Sequence, residues 1–547
     1  MSFRCRFPSV FFCALAGLLF LQPATPASGQ VLNDVIRYSE RFPAAGGPSM
    51  GRAGAGLLSG TEDFTTLYGN PAGLGWMSSS TLGGDFSVLR ARSDARFTTP
   101  NPSIANATTA AERTVSDYRL GALGGAYAFP TEQGALVVGM SLHQTNTFGR
   151  GFDVLGANQT SSITGTFLPN RFSFDGGELF IENPRSQIAF QAGAIDTSSA
   201  AFANGEYPFI PGTSPQSPAV DGQMTLDQQE DLRESGQMNE LSFGAAVEVA
   251  SGVMLGGGLN IAFGSYTFER FYRETDASDL LPPDDPANPQ KPYDPYFLEG
   301  TTLEGFNALR LKERIDTDIN GVSFRAGLSA EVASGLRWGL LVETPTWYNL
   351  TEVFGTQIAT DFDCDFGRSG TPCPVGGVQG LESGSLTANE FSYRIRTPWR
   401  LGTGLQYTRS GLTLAGDVEV VDWTQANVSA DDASFGGLNR QIRGLNTTIN
   451  TRIGAEYDFD AVAVRAGFAY RPDPRDQSFR DIDGQSTDGD RLFLSAGASF
   501  TPSENFAFHL NWMQKRFDDT FQSYTDGPFV QEAVAQNQFR IGVTYRP

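Results

Sequence analysis

Leu241, Phe243, Ala245, Val247 and Val249 alternate with Ser242, Gly244, Ala246 and Glu248, and the same period of two resumes after Ser251-Gly252 at Val253, Leu255, Gly257, Leu259, Ile261 and Phe263. Alternation of this kind marks a β-strand with two different faces, and a Ser-Gly turn between two such runs makes a hairpin. The device recurs: Glu331-Val332-Ala333-Ser334-Gly335 repeats Glu248-Val249-Ala250-Ser251-Gly252 residue for residue, and Arg409-Ser410-Gly411 follows it more loosely. Fourteen such runs are expected between residue 81 and residue 547. Short connections at 130–133, 251, 334, 409, 460 and 503 alternate strictly with long ones at 93–116, 150–238, 273–306, 350–388, 425–444, 474–489 and 519–533.

Strict alternation of short and long connections is what an up-and-down barrel in an outer membrane produces, with tight turns on the periplasmic side and long loops outside. A soluble Greek-key protein has no reason to sort its loops this way. The two faces support the barrel. Ile449, Thr451, Ile453, Ala455, Tyr457 and Phe459 suit hydrocarbon, while Asn450, Arg452, Gly454, Glu456 and Asp458 suit a wet interior. The expected fold is therefore all-β, a transmembrane antiparallel up-and-down β-barrel of 14 strands, spanning residues 81–547.

Composition sharpens this. Val10 to Leu21 form an apolar block behind Arg4 and Arg6, with small residues at Ala27-Ser28-Gly29, so residues 1–29 read as a secretory signal peptide. Mean hydropathy is −0.23, too low for a helical membrane protein and ordinary for a barrel with polar lumen and loops. Loss of Arg4 and Arg6 with the leader takes the formal net charge from −22 to −24, which argues against a nucleic-acid partner. Cys364 and Cys373 alone remain in the mature chain, and their spacing suits a local loop disulfide in an oxidising compartment.

A barrel of this width encloses more space than its inward side chains fill, so something should block it. Residues 30–80 precede the first strand and carry SMGRAGAGLLSG and YGNPAGLGWM, whose glycines and alanines permit close backbone approach to a wall. An N-terminal lumenal hatch over 30–80 is expected. The run SMGRAGAGLLSGTEDFTTLYGNPAGLG resembles the N-terminal hatch of FadL and TodX type outer-membrane transporters, and TPWRLGTGLQYTRSGLTLAGDVEVVDW is similar to that family's strand-turn-strand signature. The resemblance implies passive uptake of hydrophobic compounds such as long-chain fatty acids or hydrocarbons. It also implies that Asn70, Pro71, Ala72 and Gly73 seat the hatch, that apolar outer loops capture ligand, and that ligand leaves through a kinked strand. In that family the capture loops are the third and fourth outer ones. Here the long second loop carries Phe167, Phe172, Phe174, Phe180 and Phe190, a density that suits a capture surface and equally a loop that builds its own small core.

Enzyme chemistry finds little footing. Gly47-Pro48-Ser49-Met50-Gly51 matches a G-x-S-x-G elbow without the strand and helix it needs, and the two histidines, His143 and His509, fall on polar strand faces. Asp361, Asp363 and Asp365 lack the glycine position and closing Glu of a calcium loop. No cofactor and no metal are expected. Thr225 to Glu234 reads as a short capped helix, and Gly256-Gly257-Gly258 as a site where a strand could bend. The expected partners are hydrophobic small molecules or lipids, with outer-membrane lipid and lipopolysaccharide around a monomer. A secretion-system or interaction subunit on the same barrel plan is the alternative function.

Overall fold

The computed structural model describes residues 28–61, 63–98, 111–175, 178–197, 209–211, 213, 225–276, 303–365, 379–381, 389–431, 433–475 and 489–547. Residues 1–27 of the expected signal peptide and Cys373 lie outside these residues, as do the side chains of Cys364 and Phe174.

Nineteen strand segments form one sheet, and seventeen of them assemble into fourteen staves that close a barrel, with the three-residue segments Gln379–Leu381 and Asn427–Ser429 pairing beside them. In chain order these are β1 (Thr81–Thr98), β2 (Ala111–Ala128), β3 (Leu136–Thr147 with Arg150–Asn158), β4 (Leu226–Ala250), β5 (Val253–Asp276), β6 (Leu303–Ala333) and β7 (Leu336–Glu343 with Trp347–Asp365). They continue with β8 (Asn389–Arg396 with Arg400–Arg409), β9 (Leu412–Asp422), β10 (Thr447–Asp458), β11 (Val462–Arg471), β12 (Arg491–Ser503), β13 (Phe506–Gln522) and β14 (Phe529–Tyr545). Each stave pairs antiparallel with its neighbours in sequence, and β14 returns to β1 in a register running from Leu82↔Tyr545 to Thr98↔Phe529. Closure leaves no free sheet edge, which a strand protein in hydrocarbon requires.

The alternation that predicts the strands also sorts their faces. On β12, Leu492 and Leu494 are exposed while Phe493 and Ser495 are buried; on β14, Phe539, Ile541 and Val543 point out while Gln538 and Arg540 point in. The outward side chains form an apolar band. At its periplasmic edge aromatic rings meet in pairs, edge-to-face or tilted: Tyr127 with Phe129 at 4.9 Å, Tyr457 with Phe459 at 4.6 Å and Phe506 with Tyr545 at 4.9 Å between ring centroids. An apolar band rimmed by aromatics is the outer surface of a membrane barrel, and the protein is a bacterial outer-membrane β-barrel.

β6 has 31 residues, about three times the 9–11 that cross a bilayer as a tilted strand. The barrel therefore projects well beyond the membrane on the loop side. This overturns two sequence expectations. Thr225 to Glu234 is strand rather than helix: β4 begins at Leu226, its alternate residues Leu226, Gln228, Glu230, Leu232 and Glu234 are buried, and it pairs with both β3 and β5. Tertiary pairing on two sides outweighs the local capping signal. Gly256-Gly257-Gly258 lies in unbroken β5, paired on both edges. The breaks fall instead at Phe148-Gly149 in β3, Thr344-Pro345-Thr346 in β7 and Thr397-Pro398-Trp399 in β8. The second and third each hold a proline, which cannot donate to a ladder.

The second outer loop starts after Asn158 and ends before Leu226, and thus is shorter than its hydrophobic pattern suggests. It contains two short hairpins, Phe172–Asp175 with Glu178–Ile181 and Ile195–Thr197 with Phe209–Pro211, and helix α3 (Pro184–Gln191).

Candidate functional site

Residues from Leu32 to the start of β1 lie inside the barrel, nearly all of them buried. Helix α1 (Ser28–Ser39) stands toward the loop end, an extended stretch follows, helix α2 (Gly47–Gly51) lies against β12 and β13, and two 3-10 turns, Phe64–Tyr68 and Pro71–Trp76, lead to β1. Three kinds of contact hold this segment.

The first is a collar of inward-facing glycines. A Cβ on Gly339 of β7 would stand 1.7 Å from the Leu58 carbonyl oxygen, on Gly256 of β5 2.3 Å from the Ala72 nitrogen, and on Gly467 of β11 2.2 Å from the Arg52 carbonyl carbon. Gly327 of β6 meets Asn70 Oδ1 in the same way at 1.8 Å. Only glycine lets the two backbones approach this closely.

The second is a set of wall arginines that donate to main-chain carbonyls of the segment. Arg400 reaches Ser39 O (2.5 Å), Arg471 reaches Arg41 O, Arg452 reaches Pro43 O (3.1 Å) and Arg540 reaches Ala45 O (2.5 Å). Four strands thus grip carbonyls at alternate residues 39, 41, 43 and 45, and Arg325 adds Leu67 O at 2.9 Å. Wall carboxylates face the amides: Asp417 Oδ2 accepts from Gly56 N at 3.1 Å and Leu58 N at 3.3 Å. Buried arginines need counter-charges. Glu419 pairs with Arg400, Arg452 and Arg41, Glu240 and Glu343 with Arg325, and Asp85 with Arg540.

The third is the Asn-Pro-Ala-Gly turn. Asn70 Oδ1 accepts from Ala72 N (3.0 Å) and caps the 3-10 turn, while its Nδ2 donates to Leu58 O (2.7 Å), Leu328 O (3.0 Å) and Leu340 O (3.3 Å). One side chain thereby ties the turn, the preceding loop and two strands together. Pro71 occupies the first position of the turn, where a missing N–H costs nothing. Gly73 packs on Gly60, where a Cβ would come 2.7 Å from the Gly60 Cα.

Above the collar the lumen changes character. Lumen-facing Met238, Tyr266, Ile319, Tyr348, Leu350, Tyr393 and Val421 join Trp423 in an apolar chamber, and helix α4 (Gly436–Ile442) closes it from the loop side with Leu438 and Ile442. The apolar face of α1, Leu32, Val35 and Ile36, fills it. Polar ties flank this packing: Arg37 donates to Glu234 at 2.8 Å and to Asp34, and lies 4.3 Å over the Tyr266 ring. A polar cavity of about 80 Å³ opens between α1 and the β3 break, lined by Arg37, Glu40, Phe148, Arg150, Lys515 and Asp519 among others.

The phenylalanines of the second loop divide. Phe167 is fully buried with Ile163, Ile188 and Phe209, and this cluster sits on Tyr272, Leu309, Leu311 and Ile358 of the barrel rim. Phe172 and Phe190 pack edge-on against Phe209 at 5.0 and 6.2 Å. Phe180 is exposed. Buried Glu274 of β5 ties the loop down, accepting from Ser162 Oγ (2.5 Å), Ile163 N (2.8 Å) and Gln228 Nε2 (2.8 Å). Ser49 donates to Gly46 O inside the lumen, and His509 is held by Ser499 (2.6 Å) and Thr544 (3.0 Å). His143 is buried beside Phe64 and Tyr68 with neither ring nitrogen bonded. Ser49, the serine of the G-x-S-x-G run, thus bonds a main-chain carbonyl rather than either histidine.

A FadL homologue from Pseudomonas aeruginosa, known from its crystal structure, superposes on 93% of this chain and 99% of its own at a TM-score of 0.52 and 13% sequence identity. The fold is that FadL-type barrel. The toluene transporter TodX of Pseudomonas putida aligns over 92% of this chain and 99% of its own, with 12% identity and a TM-score of 0.48. No protein-family model and no curated protein matches the sequence. Within the FadL-type fold, the features that sequence reading missed are the arginine grip and the glycine collar. Their signal was available in the parity of the strands, because Arg400, Arg452, Arg471 and Arg540 share the inward phase with Gly339, Gly454 and Gly467.

Proposed function

We propose that this barrel carries hydrophobic compounds, long-chain fatty acids or hydrocarbons, across the outer membrane without an energy source, acting as a monomer, with residues 30–80 as its hatch. The observation that carries this reading is the apolar chamber in a lumen whose other inward positions are mostly polar or glycine. Water gains nothing from such a surface, whereas an apolar ligand gains about 25 cal/mol per Å² removed from water. The α1 face occupies the chamber in the resting state. Ligand collects on the outer loops around Phe180, displaces α1 from the chamber, and leaves sideways at the Phe148-Gly149 break of β3. The FadL-type fold supports this reading.

The test is uptake of a radiolabelled long-chain fatty acid and of a monoaromatic hydrocarbon by cells expressing the wild type or Leu350→Asp. The charge placed in the chamber should abolish uptake of the transported compound while small polar solutes still fail to leak. Equal uptake by both proteins would remove the chamber from the pathway. Mass spectrometry of ligands extracted from gently purified protein then separates the fatty acid from the hydrocarbon.

A further inference from the structure

On the outer face of β13, β14, β1 and β2 the apolar band ends at one row: Trp512, Phe539, Val88 and Tyr118 stand side by side in register. The next outward row toward the loops holds Gln514, Asn537 and Arg90, and the row beyond it Arg516, Ala535 and Arg92. Neither row contains a carboxylate. Acids return one row later with Asp518, Asp94 and Glu112.

All three arginines are exposed. Arg92 meets Asp94 and Glu112 at 3.2 and 3.1 Å, whereas Arg90 and Arg516 form no ion pair among the described residues. With strands roughly 4.8 Å apart, Arg92 and Arg516 stand about 10 Å from each other across β14. Arg90 lies about 7 Å along β1 from Val88, within reach of the edge of the hydrocarbon. The placement is local. On β6 the outward positions just above Val322 and Phe324 are Asn320, Asp318 and Asp316, and the whole chain carries a net charge of −22.

A cationic patch bordering the hydrocarbon in an acidic protein needs an anionic partner that lies in the membrane. We propose that Arg90, Arg92 and Arg516 bind the phosphate of an outer-leaflet glycolipid whose acyl chains lie along Trp512, Phe539 and Val88. Guanidinium groups match phosphate oxygens two at a time, and the spacing places one phosphate between Arg92 and Arg516 with Arg90 below it. The carboxylates of the following row face the sugar side of the lipid, where they can share divalent cations with further phosphates.

The experiment uses the full chain in detergent, with native mass spectrometry reading the binding of bisphosphorylated lipid A, the same lipid enzymatically dephosphorylated, and inorganic phosphate. Wild type should bind the phosphorylated lipid at least ten-fold more tightly than the dephosphorylated one. The Arg90→Gln/Arg92→Gln/Arg516→Gln variant should lose that preference while its heat-modifiable gel mobility stays that of folded barrel. Arg516→Gln alone should lose about three-fold and stands in should the triple variant not fold. A control variant with Arg310→Gln/Lys312→Gln on β6 should bind like wild type. Equal affinity for the two lipids, unchanged binding by the triple and single variants, or full competition by inorganic phosphate at equimolar concentration would each overturn the assignment.

Discussion

Replacing Gly339 by Ala tests whether the collar seats the N-terminal segment. The added Cβ would lie 1.7 Å from Leu58 O, so that the segment has to withdraw by more than about 1 Å before any ordinary contact is restored. The atoms that must move are backbone, which leaves no flexible side chain to absorb the change. Withdrawal stretches the two bonds that cross from the wall to this stretch, Ser329 Oγ to Ser59 O (2.5 Å) and Leu58 N to Asp417 Oδ2 (3.3 Å). Two buried bonds lost, each worth about 1–3 kcal/mol once the abandoned groups are counted, put the seated state roughly 3 kcal/mol higher. The unseated population should rise about 100-fold. Single-channel recording in planar bilayers, with uptake of a bulky polar antibiotic as the cellular counterpart, should show frequent openings in Gly339→Ala. Gly257→Ala is the matched control, since that glycine faces outward with its nearest atom 3.8 Å from the new Cβ. Identical closed traces from both variants would refute the reasoning, because the lumen would then be shut by something other than this contact.

Arg471→Met should loosen the extended stretch without harming the barrel: its guanidinium donates to Arg41 O and forms no salt bridge among the described residues. The expected cost is about 1.5–3 kcal/mol, read as faster hydrogen exchange over residues 40–46 at an unchanged thermal unfolding midpoint. Asp34 of α1 is pushed up from the usual carboxylate range to about 7, first by burial and then by Glu352 and Glu234, against the pull of Arg37. A carboxyl raised in the docked state favours docking while it holds its proton. Docking of α1 is therefore expected to weaken as pH climbs from about 4 through about 7, and Asp34→Asn should flatten the exchange profile of residues 32–39 across that window. On the outer loop, Phe180→Ser should lower uptake at limiting ligand and leave saturating uptake intact. Phe167→Ala, by contrast, should destabilise the loop by about 3–5 kcal/mol, seen as increased proteolysis between residues 159 and 213.

How far the sequence carried the fold depends on how local each signal was. The period of two, the Ser-Gly turns and the alternation of short and long connections are properties of neighbouring residues, so the fourteen staves and their faces could be read directly. Strand ends beyond the membrane were harder. Leu226 to Glu234 alternates Leu, Gln, Glu, Leu and Glu on its buried face, a pattern without the apolar period that signals a strand, because there the barrel packs against its own polar interior and loop. The strand breaks were misplaced for a related reason. Glycine weakens a strand only where nothing supports it, and Gly256 to Gly258 are supported on both edges. The arginine grip joins residues some 360 to 500 positions apart in sequence, a distance over which no local pattern reports.

The two parts of the N-terminal segment are held by different forces, and that difference bears on what could open the channel. From the Ser39 carbonyl to Trp76 the seat is steric and hydrogen-bonded: glycines admit the backbone, Asp417 and Asn70 satisfy it, and buried arginines grip the carbonyls of Ser39, Arg41, Pro43, Ala45 and Leu67. An apolar ligand offers nothing to those groups, and displacing the segment there would strand charges inside the barrel, which is costly. The α1 helix differs. Leu32, Val35 and Ile36 hold the chamber by apolar contact, the one interaction a hydrophobic compound reproduces in kind, area for area. A ligand that enters the chamber therefore repays most of what α1 loses on leaving it. The polar tie of Arg37 to Glu234 on the wall sets the remaining difference. On the proposed function, the moving part is α1 and the fixed part begins at the arginine-gripped stretch, so the substrate is itself the agent that opens its own path.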